Sequence, residues 1–391
     1  MFKRYLQLKL PKKQSIFLWG ARRTGKSSYL KVNFSDSVYY DLLDTHLMLK
    51  LLKAPYILRE ELLALTPEQK QKPIIIDEIQ KVPELLNEIH WLIEHESMQF
   101  ILCGSSARKL KTQATNLLGG RAWPFHFFPL TFAEIPEFNL LKALQCGLLP
   151  SHYLAEDQYI ENYLEAYVDV YLTDEIRNEG LVRNLAGFAK FLDLAGLTNT
   201  ETINMNNIAR DCGIDRITVQ NYYQILVDTL LGYFIYPYQV KIKRDLITSM
   251  PKFYLFDVGI ANYLAKQKVT TLSGAFAGKS LEHYVFMELN AYLKLNKKRC
   301  AITYWRTKNG LEVDFIIGDA QCAIDVKISS QVHKQDLKGL IAFCEEHPLT
   351  QAIVVSLDQK PRDLIVTPDT TIHILPLHDF LTQLWTKQLG I

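Results

Sequence analysis

Three spacings of apolar residues divide the chain. Residues 15–19 (SIFLW), 73–76 (PIII) and 98–103 (MQFILC) are short, nearly unbroken apolar runs that lead into small or acidic residues. This is the pattern of strands buried on both faces. From 150 to about 179 the positions Ile160, Tyr163, Leu164, Tyr167, Val168 and Tyr171 fall three and four apart, predicting a helix with one face in a core. Helical spacing resumes over 181–197. Residues 203–223 read as two short helices around Gly213, the second capped by Asp215, followed by aromatic strand-like runs at 232–236 and 252–256. A helix over about 279–295 and strands at 301–307, 312–317 and 323–328 complete the pattern. The elements predict an α/β chain in three parts: a parallel-sheet domain over 1–148, a helical region with a small hairpin over 149–268, and a second α/β domain over 269–391.

The first strand runs into Gly20, Ala21, Arg22, Arg23, Thr24, Gly25, Lys26 and Ser27, and Ser28 to Lys31 continue as a helix start. This is GxxxxGK[ST], the Walker A pattern, in the strand–loop–helix context it needs. Its glycines let the backbone wrap a phosphate, and the amides of the loop and helix start, through Ser28, point at the anion. Lys26 is placed to offset charge on the β- and γ-phosphates of a nucleotide, and the Ser27 hydroxyl to ligate Mg²⁺. The second strand ends in Asp77 and Glu78, at the carboxyl end where open α/β sheets bind ligands. Asp77 would hold the Mg²⁺ shell and Glu78 would polarise the attacking water. The third strand ends in Gly104, Ser105 and Ser106, and one of the two serines is the candidate to contact the γ-phosphate and the water; Ser105 is taken first. Beyond it lie Arg108 and Arg121. Arg121 follows Gly119 and Gly120 and is the preferred candidate for an arginine finger reaching a neighbouring subunit's nucleotide.

The order GARRTGKS, IIIDEI, ILCGSSARKL, LLGGRAWPFHFFPLTFAEI resembles prokaryotic AAA+-type P-loop ATPases, in particular a subfamily with a C-terminal domain of unknown function. The Walker motifs are general to P-loop ATPases; the GSS, GGR and PLTFAEI segments are more specific to this family. The resemblance implies ATP with Mg²⁺ and assembly as a ring or dimer. The N-terminal domain also lacks the guanine-reading NKxD pattern.

The middle third reads as a winged-helix region. Arg216, Thr218, Gln220 and Asn221 are available for base contacts, and Lys241, Lys243 and Arg244 for phosphates. Asp215 and Asp228 offset the single arginine of the second helix, so a lid on the ATPase or a protein-binding surface stands beside DNA contact. In the C-terminal third, Asp314 and the pair Asp325 and Lys327 form a D…(D/E)xK pattern that resembles the restriction-endonuclease-like fold, with Asp in place of the more frequent Glu. There, Glu282, Asp314 and Asp325 would ligate a divalent metal and Lys327 would orient or deprotonate the attacking water. The other reading is a structural buried ion pair in a nuclease fold that has lost its activity.

Composition narrows the class. Of 391 residues, 48% are hydrophobic and 22% charged, which excludes a disordered chain or a small disulfide scaffold. No run is long and apolar enough to span a membrane, and the first residues lack a secretory signal, so a cytoplasmic protein without a membrane partner is expected. The six cysteines are scattered, with no CxxC pair. Net charge is +2 overall, but residues 1–150 carry 20 Lys and Arg against 14 Asp and Glu, residues 151–269 carry 11 against 15, and the remainder 13 against 13. The basic first third suits a polyanion such as a nucleotide. The expected function is an ATP-binding, Mg²⁺-dependent ATPase that couples nucleotide state to the other two parts. The alternatives are an ATP-gated DNA nuclease, or an ATP-switched regulator that binds DNA or protein with little turnover.

Overall fold

In the computed structural model, which describes residues 2–11, 14–106, 118–172, 182, 184–239, 250–367 and 370–391, the chain divides into two compact units. They are Met1–Leu130 with Leu226–Leu231, and Thr131–Ile225 with Gly232–Ile391. Arg108 and the group Lys241, Lys243 and Arg244 lie outside the described residues.

The first unit is built on five parallel strands: β1 (Ser15–Trp19), β2 (Tyr39–Asp41), β3 (Ile74–Asp77), β4 (Phe100–Gly104) and β5 (Ala122–His126), in the order β2-β3-β4-β1-β5. The expected apolar runs are the three central strands β1, β3 and β4, and all three are buried along their whole length. Helices α1 (Lys26–Asn33), α2 (Thr45–Lys53), α3 (Tyr56–Leu63) and α4 (Leu85–Glu96) accompany the sheet. Leu85, Leu86, Ile89, Leu92 and Ile93 make one face of α4 and share a core with Ile74, Ile76, Phe100 and Leu102. Fully burying each such side chain contributes roughly 1.5–3 kcal/mol.

Because every strand runs the same way, their carboxyl ends gather along one edge. Asp41 lies opposite Asp77, Asp77 opposite Cys103, and Trp19 between Gly104 and His126. The chain leaves β1, β3 and β4 at that edge through the glycine loop, Glu78 and Ser105.

The second unit begins with helical elements. Instead of one helix over 150–179, a turn at Pro150–Tyr153 is followed by α6 (Ile160–Glu165), which passes directly into a π-helix at Ala166–Leu172; α5 (Leu140–Cys146) precedes them. The wider π turn lets the consecutive residues Tyr167 and Val168 both enter the core. Helix α7 (Leu185–Leu197) follows. Asn204 caps α8 (Met205–Cys212), which ends at Gly213 with φ 69°, and the Asp215 carboxylate accepts the Thr218 N–H at the start of α9 (Arg216–Asp228). Strands β6 (Gly232–Ile235) and β7 (Lys252–Leu255) pair antiparallel, each one residue shorter at its carboxyl end than the expected run. Phe191 of α7, Tyr223 of α9 and Phe253 of β7 pack edge to face in one aromatic cluster.

After α10 (Val258–Leu264), helix α11 runs from Gly274 to Leu295, starting earlier than expected. A mixed six-stranded sheet follows in the order β12-β13-β11-β10-β9-β8. Strands β8 (Ile302–Arg306), β9 (Glu312–Ile317) and β10 (Cys322–Val326) are the three expected ones and form an antiparallel meander. Helix α12 (Lys338–Glu346) carries the chain to β11 (Gln351–Ser356), parallel to β10. The hairpin β12 (Arg362–Thr367) and β13 (Thr370–Pro376), with β13 parallel to β11, and helix α13 (Leu377–Trp385) complete the unit. No helix among the described residues is long and apolar enough to cross a membrane. The six cysteines are free thiols, and Cys103, Cys146, Cys212 and Cys322 are buried.

Candidate functional site

The loop after β1 is shaped for an anion. Gly20 cannot carry a side chain, since a Cβ there would lie 2.3 Å from the Phe127 carbonyl oxygen. Arg23 and Gly25 both take positive φ, 60° and 96°, which curls the backbone back on itself ahead of α1. The buried Thr24 hydroxyl donates to the Ala21 carbonyl and stiffens the curl. Lys26, the first residue of α1, is buried with its ammonium inside the loop, 2.7 Å from the Gly20 carbonyl and 2.9 Å from that of Ala21. The first N–H groups of a helix have no intrahelical acceptor, and here they face the same loop. From the N-terminal segment, Arg4 donates to the Thr24 carbonyl at 2.7 Å and the Phe128 carbonyl at 2.6 Å, and lies over the Phe127 ring. Nothing in the spacing of the first residues signals this clamp on the loop.

The acidic pair sits beside it. Asp77 is the buried last residue of β3. Glu78 then takes φ 58° and ψ 41°, which breaks the alternation of the pleat, so that neighbouring carboxylates need not point to opposite faces. A left-handed non-glycine residue costs roughly 1–2 kcal/mol, strain of the kind that clusters at functional sites. Glu78 is buried, and its Oε2 accepts from Gln80 Nε2 and, at 3.3 Å, from the Ser105 hydroxyl. Gln80 Nε2 also reaches Ser105 Oγ at 3.1 Å. The strand order explains this: β4 lies between β1 and β3, so Ser105 at its end stands between the loop and the acidic pair. Of the two candidate serines it is Ser105 that touches Glu78. Gln80 was not a sequence candidate, although its place two residues after Glu78 in DEIQ was the available signal. On the other side, the Tyr39 hydroxyl donates to Asp77 Oδ2, and burial foremost, with the Asp77 carboxylate, pushes that phenol well above its ordinary range.

The residues present fit a Mg²⁺–nucleotide: a side-chain-free cradle at Gly20, an ammonium within the loop at Lys26, and hard oxygen donors at Ser27 and Asp77. Arg121 stands elsewhere. It precedes β5, whose first residue pairs with Ser15 at the start of β1. That puts it at the opposite end of the strands, ~16 Å from the loop at ~3.3 Å per residue, with its guanidinium on Glu94.

The C-terminal carboxylates also converge. The buried Asp325 pairs with Lys327 at 2.9 Å, as expected for positions i and i+2 on one face of β10. Asp314 accepts the Val326 N–H at 2.8 Å. Burial foremost, and then the neighbouring Asp314 carboxylate, push Asp325 well above the usual carboxylate range. Glu282, from α11, is pushed up to about 7, again by burial first. Its partner is Lys252, a lysine of β7 only 3% exposed, whose ammonium lies 3.1 Å from Glu282 and 2.5 Å from Glu312. Burial pulls Lys252 down, but Glu282, Asp314 and Glu312 outweigh it and raise it further. The Tyr254 hydroxyl donates to the same Glu282 oxygen. Among the described residues no group of three or more His, Cys, Asp and Glu side chains is arranged to hold a metal ion. Lys252 was not a sequence candidate; a lone lysine inside the apolar run KFYLF was its signal.

Comparison with family models assigns the chain in three successive stretches. Residues 12–136 match an AAA domain, residues 137–271 a domain of unknown function (DUF8612), and residues 277–380 another (DUF4143). The search of curated proteins returns no match. Among solved structures, that of the Aeropyrum pernix Orc1 protein in complex with DNA aligns at 12% identity, covering 65% of this chain and 86% of that chain, with a TM-score of 0.25, an overlap too loose to carry an argument. The parallel sheet and the glycine loop on β1 agree with the match of residues 12–136 to an AAA domain.

Proposed function

We propose that the protein is a Mg²⁺-dependent ATP hydrolase that passes its nucleotide state to a winged-helix region and a restriction-endonuclease-like domain. The observation that carries this reading is Glu78, turned off the end of β3 and held by Ser105 and Gln80 at the same sheet edge as Lys26. A polypeptide keeps a buried, strained carboxylate there at a cost in stability, and water activation explains it.

In this reading the loop amides and Lys26 hold the β- and γ-phosphates and stabilise charge as it develops. Glu78 accepts a hydrogen bond from the attacking water and takes its proton, while Ser105 and Gln80 hold the carboxylate in line. Mg²⁺, when bound through Ser27 and a shell held by Asp77, neutralises charge shared between the β- and γ-phosphates. Arg121, at the far end of the strands, could act as a finger only on the nucleotide of a second copy. The test is ATP hydrolysis by the purified chain with Mg²⁺, with and without DNA, beside Lys26→Ala and Glu78→Gln. The first variant should lose binding; the second should bind ATP and stall. Hydrolysis unchanged in both would overturn the assignment. Stimulation by DNA would favour the winged helix and Lys241, Lys243 and Arg244 as a nucleic-acid contact over a protein-binding role.

For the C-terminal domain, the Lys252 ammonium on Glu282 and Glu312 supports a nuclease-like fold that keeps its carboxylates as a neutralised cluster rather than as metal ligands. The nuclease alternative, with Glu282, Asp314, Asp325 and Lys327 active, requires Mg²⁺- or Mn²⁺-dependent DNA cleavage that is lost in Asp314→Ala.

A further inference from the structure

Tyr39 joins two residues from different elements. The register of β2 on β3 sets Tyr39 opposite Ile75, two positions short of Asp77. A tyrosine is long enough to span that diagonal, and its hydroxyl donates to Asp77 Oδ2 at 2.5 Å. Ser27, the second residue of α1, stands near the same phenol. The Tyr39 ring lies under the Lys31 ammonium of α1, 5.2 Å from its centroid. Asp77 Oδ1 is engaged as well, by the Glu78 N–H at 3.1 Å.

The proton inventory fixes the direction of the bond between Tyr39 and Asp77: the Tyr39 hydroxyl carries its one proton and the carboxylate oxygen accepts it. The Asp77 carboxylate is pinned at both oxygens.

We propose that Tyr39 is a positioning residue for the Mg²⁺ of the nucleotide site, its hydroxyl orienting the Asp77 carboxylate that would hold the ion's shell. This rests on the ATPase reading above. Residues that orient metal-facing ligands from behind are worth ~10–100-fold in metal affinity. Tyr39→Phe removes the hydroxyl and keeps the ring under Lys31.

The experiment follows binding of a fluorescent ATP analogue to the full chain as Mg²⁺ is varied, and repeats it in EDTA, for wild type, Tyr39→Phe, Asp77→Asn and the double variant. The expected result is a rise of ~10-fold or more in the Mg²⁺ concentration for half-maximal effect in Tyr39→Phe, with affinity in EDTA unchanged. Tyr39→Phe should add little in the Asp77→Asn background, because both act through one carboxylate. The Asp77→Asn pair keeps the test valid if Tyr39→Phe alone folds poorly. An unchanged Mg²⁺ curve, a shift to lower Mg²⁺, or an equal loss of affinity with and without Mg²⁺ overturns the proposal. The ATPase reading is read separately: wild-type binding abolished by Lys26→Ala upholds it even where Tyr39→Phe is silent, and a wild type that binds no ATP overturns both.

Discussion

The Ser105 hydroxyl lies 3.3 Å from Glu78 Oε2, at the end of the strand that separates the phosphate-binding loop from the acidic pair. A serine in that place holds the carboxylate. Ser105→Ala frees one side of Glu78, and Gln80→Ala frees the other. Each should lower kcat by ~10-fold or more, part of the ~10²–10⁴-fold that a positioned base supplies, while KM for ATP moves less than kcat. Steady-state kinetics checks this; a pure KM effect would remove Ser105 and Gln80 from the support of the base.

Arg4 ties the N-terminal segment to the loop through the carbonyls of Thr24 and Phe128. Hydrogen bonds from a charged donor contribute ~1.5–3 kcal/mol. Arg4→Ala should loosen the Thr24 carbonyl and weaken ATP binding at least ~5-fold, and Arg4→Lys should restore little, since an ammonium lacks the fork that reaches two carbonyls. Equilibrium titration with a fluorescent nucleotide decides the matter; wild-type affinity in Arg4→Ala would show that the loop holds its shape alone.

Lys252 pairs with two carboxylates inside the second unit, sharing Glu312 with Arg306. Removing one partner of a buried ion pair costs ~3–5 kcal/mol, because the other charge is left uncompensated. Lys252→Met should therefore be strongly destabilising in urea unfolding, and adding Glu282→Gln and Glu312→Gln should recover much of the loss. A cost near zero for Lys252→Met alone would mean the carboxylates find other compensation.

Glu288 of α11 gives the protein a pH dependence. It is buried, accepts the Phe132 N–H at 2.9 Å and the Trp385 indole N–H at 2.7 Å, and burial pushes it up to about 7. A raised carboxylate favours the native state while it is protonated. Its contribution is complete below the ordinary value of 4.5 and disappears as pH rises through about 7. The shift corresponds to roughly 3 kcal/mol at most. Glu288→Gln gives up one of the two accepted hydrogen bonds but no longer titrates. Its stability deficit relative to wild type should thus be largest near pH 5 and shrink by pH 9. Parallel unfolding free energies across that range would contradict the assignment.

Much of the first unit is legible in the amino-acid order. The runs at 15–19, 73–76 and 98–103 read as buried strands, because nearly continuous apolar stretches of that length have no solvated face. Gly20 to Ser27 spells the loop pattern directly, with Gly20 where no Cβ fits and Gly25 at positive φ just ahead of the helix start. The second unit was less legible. The helical rhythm from Ile160 to Tyr171 conceals a π-helix, since apolar residues three and four apart fit either turn in part. Strands β11 to β13 were not among the expected elements.

The sequence by itself determined the local elements of the candidate site: the glycine loop, the lysine that opens α1 and the acidic pair that ends β3, all set by neighbours within a few positions. Tertiary structure alone decided which distant side chains support them or counter them. Ser105 beside Glu78 follows from β4 lying between β1 and β3, Tyr39 on Asp77 from the register of β2, and Arg121 far from the loop from β5 running parallel to β1. Lys252 on Glu282 likewise follows from packing, since β7 and α11 are separated in the chain. The physical reason is common to all four: local backbone preference and hydrophobic spacing write elements into the chain, whereas charge pairing and hydrogen bonding depend on distances that exist only once those elements have packed.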